Sequence, residues 1–198
     1  MRSCGKGTYK ALITIRGREV YAQKVAEKLG KDVAIYCNDL PLGLGNHTHN
    51  TFNALTDFVR SNAKTLLFLE DDIIFADRFN WDNLDKNYGN YEIFTFYTPR
   101  SLILPQDRNK YGIIKVIRSN FFGSQCLLMS RSFVLKLFSR LDKNLYLDTN
   151  IQRYCVTNDI DIYTILPNPV EHLDLPSSWS CKGRPHKSIW FWGDENGA

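Results

Sequence analysis

The chain has 198 residues, 43% of them hydrophobic and 23% charged, with a formal net charge of +4. That content supports one substantial core and leaves little for a second, so one domain is expected over 1–198. The mild positive balance excludes a polybasic nucleic-acid-binding chain, and five cysteines without C-x-x-C spacing exclude a zinc knuckle or a complete disulfide framework.

In chain order, residues 11–15 (ALITI) read as a strand, and 20–29 have helical spacing ending at Gly30 as a C′ residue. Residues 32–38 (DVAIYCN) read as a second strand. The stretch 39–50 (DLPLGLGNHTHN) holds Pro41, Gly43 and Gly45 and is expected to be irregular, with a helix resuming over 51–60. Residues 66–69 form a short continuous apolar run, as in a strand buried on both faces. Strand, helix, strand, loop, helix, strand is the pattern of a parallel α/β sheet. Beyond Phe75 the chain turns polar and aromatic. Residues 92–99 alternate as a strand, GIIKVIRS and GSQCLLMS add two more, SFVLKLFSRL is an apolar helix, and a shorter helix lies around 149–155. DIYTILPNPVEHL is expected to be a last strand leading into an irregular tail, in which Lys182, Arg184, His186 and Lys187 make a small basic cluster. No segment approaches the ~18 apolar residues of a membrane span, and the N-terminus lacks an apolar signal region. A soluble cytoplasmic protein, without stable membrane insertion, is expected.

The most informative residues are Glu70, Asp71 and Asp72, three consecutive carboxylates at the C-terminal end of the buried run 66–69. Open α/β sheets bind ligands at that end of their strands. Adjacent carboxylates repel one another unless a cation or hydrogen-bond donors compensate, and a hard divalent ion with open positions for phosphate is one such partner. Capping of the following turn is the other reading of the same acids. On an extended backbone Glu70 and Asp72 share one face while Asp71 points to the opposite one.

The EDD triplet, GSQCLLMSRSFV, LDTNIQRYC and PNPVEHLDLPSS, in this order across residues 12–178, resemble the GT-A-fold glycosyltransferases. The likeness is to inverting, metal-dependent enzymes of the N-acetylglucosaminyltransferase kind and to small bacterial or phage-encoded members. It implies a single GT-A-like α/β domain with a mixed, mostly parallel sheet, helices on both faces and a Rossmann-like nucleotide-binding half. On that pattern about 11–110 is the donor half, about 111–180 the acceptor and catalytic half, and 181–198 an irregular basic and aromatic tail.

The resemblance further implies Mn²⁺ or Mg²⁺ on the diphosphate of a nucleotide-sugar donor, a UDP-sugar, with hexosyl or N-acetylhexosaminyl transfer. Asp72 and His172 would hold the metal, Asp71 would act through water or on the ribose, and Glu70 would support sugar or ribose. Thr14, Arg16, Arg18, Asn38, Asp39 and Asn50 would bind the nucleotide, Ser177, Ser178 and Lys182 would cover the phosphates, and Asp148 would be the catalytic base. Asp148 equally suits an N-cap, and Asp159 and Asp161 are fallback bases. Candidate acceptors are a glycan, a small molecule or modified DNA in a bacterial or phage-infected cytoplasm. A phage DNA glycosyltransferase and an inactive sugar- or nucleic-acid-binding GT-A domain are the alternatives.

Overall fold

The computed structural model describes residues 7–30, 32–41, 43–173, 187–189 and 191–192. The apolar run before the acids forms β3 (Thr65–Glu70), in which Leu66, Leu67, Phe68 and Leu69 are fully buried. β1 (Thr8–Ile13) pairs parallel with it on one side and β7 (Cys126–Ser130) antiparallel on the other. β2 (Val33–Tyr36), β5 (Ile93–Thr95), β6 (Gly112–Val116) and β8 (Ile162–Leu166) extend the sheet. Among the described residues the order is β2-β1-β3-β7-β5-β8-β6. β1, β2, β3, β5 and β8 run one way and β7 and β6 the other, so the sheet is mixed and mostly parallel, as the sequence predicts.

The helices divide between the two faces because alternate strand residues point to opposite sides. Ala11, Ile13, Leu66, Phe68, Leu127 and Met129 pack with α2 (Leu44–Arg60), α4 (Arg131–Phe138) and α5 (Leu147–Thr157). Leu12, Leu67, Leu69, Leu128 and Phe94 pack with α1 (Glu19–Leu29) and with Leu84 of the short α3 (Leu84–Tyr88). No helix among the described residues is long and apolar enough to cross a membrane.

Besides α3, which the sequence pattern does not predict, and α5, which is longer than α4 rather than shorter, two elements depart from the sequence expectation. The second helix starts at Leu44 rather than at 51, following Gly43 at φ +131°. Its buried stripe Asn46, Asn50, Ala54, Phe58 has perfect i, i+4 spacing, but begins with polar residues that a hydrophobic pattern does not count. The last strand is in fact two. Pro167 and Pro169 cannot donate to a ladder, so β8 ends at Leu166, and β9 (Val170–His172) leaves the main sheet to pair antiparallel with β4 (Ile73–Phe75). Asn168, fully buried, fixes this corner by accepting from the Thr98 N–H and donating to the Ile165 carbonyl.

Leu67 is enclosed at the centre of the sheet, and its truncation leaves a cavity with little freedom to collapse. Leu67→Ala is expected to lower stability by about 2–5 kcal/mol, measured by urea denaturation; a loss well below 1 kcal/mol would contradict this packing.

Candidate active site at the ends of β1 and β3

After β1 the chain crosses through α1 to β2 on one side, whereas after β3 it proceeds to β5 on the other. The loops leaving β1 and β3 therefore part at the carboxyl ends of the two strands, the switch point at which open α/β sheets place their ligand crevice. Glu70 is the last β3 residue, and Asp71 and Asp72 sit in the bend before β4.

Both aspartates are buried. The Thr14 hydroxyl donates to Asp71 Oδ2 at 2.6 Å. Arg18, which precedes α1, places Nη2 2.7 Å from Asp71 Oδ1 and 3.1 Å from Asp72 Oδ2. His172 Nε2 lies 3.3 Å from Asp72 Oδ2. The expected division of the triplet by strand face does not hold: Asp71 and Asp72 converge on one guanidinium, while Glu70 turns to Ser124 and His47. Strand alternation ends with Glu70, and the bend brings the next two side chains together.

Burial pushes the Asp71 carboxyl up to about 6, against the opposing effects of the Thr14 hydrogen bond and the Arg18 charge. Burial works the same way on Asp72, but there the hydrogen bond and charge of His172, with Arg18, outweigh it and hold the carboxyl below the usual range. Asp72 Oδ1 is buried without a hydrogen-bond partner among the described residues. Arg18 Nη2 makes close charge-assisted contacts with both carboxylates, while Arg18 Nε has no hydrogen-bond partner among the described residues.

His172 owes its place to β9. Ile73 pairs with His172, and the Leu173 N–H donates to the Asp72 carbonyl at 2.7 Å, so the short ladder sets the histidine beside the aspartate. Next to it, the Glu171 carboxylate accepts from the Ser188 N–H at 2.9 Å and hydroxyl at 2.7 Å, which ties the returning chain to the same ladder.

The β1 end is shaped by asparagines. Asn50 Nδ2 donates to the Thr14 carbonyl at 2.8 Å and to Asn46 Oδ1 at 3.2 Å, while its Oδ1 accepts from Asn38 at 2.7 Å. Asn38 Oδ1 accepts from the Leu40 N–H. Both amides are engaged inside the protein, so Asn38 and Asn50 position the loops instead of presenting free groups. Arg16 and Asp39 pair with each other at 3.3 Å on the exposed rim.

A second polar group lies on the β7 side. Ser124 donates to the Glu70 carboxylate, with His47 Nε2 3.5 Å from the same oxygen and the His47 ring edge-on to Tyr146. Asp148 occupies the first turn of α5 but forms no cap. Its Oδ2 accepts from the Gly123 N–H at 3.1 Å and its Oδ1 from the Thr149 N–H at 2.7 Å. The Glu70 N–H donates to the Gln125 carbonyl, so loop 121–125 links Asp148 to the end of β3. Gly123 has φ +99°, and a Cβ there would fall 2.7 Å from Gln125 Oε1.

His47 and Ser124 escaped sequence reasoning. One lies in the stretch read as a loop, and the other is a lone serine whose only signal was the Gly123 beside it. Asp159 and Asp161 do not join the site; both pair with Arg118, and Asp161 also with Lys115. Ser177, Ser178, Lys182, Arg184 and His186 lie outside the described residues.

No group of three His, Cys, Asp or Glu side chains among the described residues is arranged around a metal position. A cation that also binds phosphate oxygens needs fewer protein ligands, and the orphaned, buried Asp72 Oδ1 beside His172 suits a hard divalent ion of that kind.

No protein-family model and no curated protein matches the chain. Among solved structures it is similar to A197 from STIV, with a TM-score of 0.49 and 13% identity over 88% of this chain and 87% of that one. It is also similar to the inositol-1-phosphate CTP transferase from T. maritima (TM-score 0.45, 15% identity, 87% and 72% covered). A third is a glycosyltransferase involved in the glycosylation of the major capsid of PBCV-1 (TM-score 0.42, 12% identity, 77% and 74% covered). At these identities none of the three says what this chain binds.

Two results are expected of the site itself. Because the folded-state pKa of Asp71, about 6, is above the ordinary 3.8, the native state binds a proton that the unfolded chain releases. Stability contributed by Asp71 is therefore present at low pH and lost as pH rises through 6. Relative to Asp71→Asn, the wild type should lose roughly 2–3 kcal/mol between pH 4 and pH 7, measured by denaturation across that range; a flat or rising difference would contradict the burial of this charge. Gly123→Ala should lower stability by about 1–3 kcal/mol, since the left-handed backbone there is strained for any other residue; an unchanged denaturation midpoint would contradict it.

Proposed function

We propose that the chain is a glycosyltransferase that moves a sugar from a nucleotide-sugar donor, a UDP-sugar, to an acceptor hydroxyl with a divalent cation on the diphosphate. The observation that carries this reading is the buried Asp71–Asp72 pair at the carboxyl ends of β1 and β3, with one carboxylate oxygen left without a partner among the described residues. A structural cap would direct its oxygens to backbone N–H groups. Here they face the Arg18 guanidinium, the His172 imidazole and the Thr14 hydroxyl, and Asp72 Oδ1 has no hydrogen-bond partner among the described residues.

Asp72 and His172 would hold Mn²⁺ or Mg²⁺, which when bound neutralises the charge that builds on the departing diphosphate. Arg18 lies beside both acids and would contact the phosphates. Thr14 and Asn50 keep the β1 loop in shape beneath the ribose, Asn38 supports it from β2, and Arg16 with Asp39 forms the outer rim where the base would lie. Glu70, which accepts from Ser124, would also accept from a sugar hydroxyl.

Asp148 would be the base. Two N–H groups, from Gly123 and Thr149, fix its carboxylate across loop 121–125 from Glu70. In the transfer step the acceptor oxygen gives its proton to the Asp148 carboxylate and forms the bond to the anomeric carbon. The bond from that carbon to the phosphate oxygen breaks, and its electron pair leaves with the diphosphate. Attack opposite the leaving group inverts the anomeric centre.

With UDP-sugars and Mn²⁺, Asp72→Asn should abolish metal-dependent UDP binding by calorimetry together with donor turnover. Asp148→Asn should keep UDP binding and reduce turnover about 10²–10⁴-fold. Full metal-dependent activity in Asp72→Asn would overturn the reading.

A further inference from the structure

We infer that Arg18 is a built-in counter-ion of the acid pair that is exchanged for the divalent cation only when a nucleoside diphosphate arrives, so that metal and nucleotide bind as a unit. This rests on the function proposed above and adds an order of assembly to it.

Buried side by side, Asp71 and Asp72 require positive charge whether or not a ligand is present. Arg18 supplies it from a position mostly shielded from solvent, its side chain 14% exposed, in contact with both carboxylates. A divalent ion on Asp72 would share that carboxylate with the guanidinium. Without further anions, the ion would then sit beside a like-charged guanidinium that already neutralises part of the acid pair. The metal alone must therefore displace Arg18 or bind against its repulsion. A diphosphate changes the balance, because it brings the anionic oxygens that both cations need.

The geometry gives Arg18 the means to exchange. Its backbone is fixed: its N–H donates to the Ile15 carbonyl at 3.0 Å, and its own carbonyl accepts from the Tyr21 and Ala22 N–H groups at the start of α1. Its side chain is not held in the same way. Nε is buried without an acceptor among the described residues, so of Nε and Nη2 only Nη2 meets the acids. The same two donors form one edge of the planar fork that binds two phosphate oxygens. Arg18 thus keeps an unmet donor of the kind a diphosphate satisfies, while the charge-assisted Nη2 contacts hold it on the acids until one arrives.

The test is Mn²⁺ binding, followed by electron paramagnetic resonance with and without UDP, in the wild type, Arg18→Met and Arg18→Lys. The wild type should bind Mn²⁺ at least about 10-fold more tightly with UDP than without it, a coupling within the usual range for linked ligands. Arg18→Met should bind Mn²⁺ alone about 10-fold more tightly than the wild type and lose most of that coupling. Arg18→Lys keeps the charge without the fork. It should match the wild type for Mn²⁺ alone and bind UDP with Mn²⁺ about 10-fold more weakly. If the wild type couples the two ligands but Arg18→Met binds Mn²⁺ alone no more tightly, the exchange is wrong and the proposed function stands. If Arg18→Met does not fold, unchanged UDP affinity in Arg18→Lys overturns the exchange. If the wild type binds no Mn²⁺ even with UDP, the proposed function itself fails.

Discussion

Two carboxylates buried beside each other, with a third one residue earlier, are what the rest of this molecule is arranged to contain. Arg18 lies within 3.1 Å of both Asp71 and Asp72, and Thr14 donates to Asp71 from the end of the neighbouring strand. Those partners come from the loop between β1 and α1. The parallel pairing of β1 with β3, in register from Thr8 with Thr65 to Ile13 with Glu70, brings them to the acids. A slip of that register would separate Thr14 from Asp71 and leave a buried charge uncompensated, which costs far more than an ordinary lost contact. The pairing of the two strands and the chemistry of the crevice are one constraint.

The other walls of the site are tied to the same point by short connections. The β4–β9 ladder begins directly after Asp72 and delivers His172 from about 100 residues downstream in the chain. Loop 121–125 reaches Glu70 through both the Ser124 side chain and the Gln125 carbonyl, and Asp148 through the Gly123 N–H. The β1 loop, the β4–β9 ladder and loop 121–125 therefore meet at Glu70–Asp72.

Much of this was legible in the residues. The continuous apolar run before Glu70 announces a strand buried on both faces, and its position after two strand–helix units places the acids at a parallel strand end. His172 and Asp148 were reached through resemblance, not pattern. The parts that were missed share a cause: local rules were applied where tertiary contacts decide. Asn46 and Asn50 look like loop residues until the Thr14 carbonyl and Asn38 give their amides partners inside a helix. Alternation predicted opposite faces for Asp71 and Asp72, but the strand ends before them and a shared cation draws them together. The single strand expected over DIYTILPNPVEHL breaks at its two prolines, and that break is what frees His172 to meet Asp72. Ser124 and His47 had no signal of their own, because what makes them notable is a carboxylate distant in sequence.

The most direct measurement is an anomalous difference map from crystals soaked with UDP and Mn²⁺. A Mn²⁺ peak within bonding distance of Asp72 Oδ1, with the diphosphate bridging it toward Arg18 at the carboxyl ends of β1 and β3, is the predicted result. A nucleotide bound elsewhere, or a diphosphate in this crevice with no metal at Asp72, would contradict the assignment of the acid pair as the donor site.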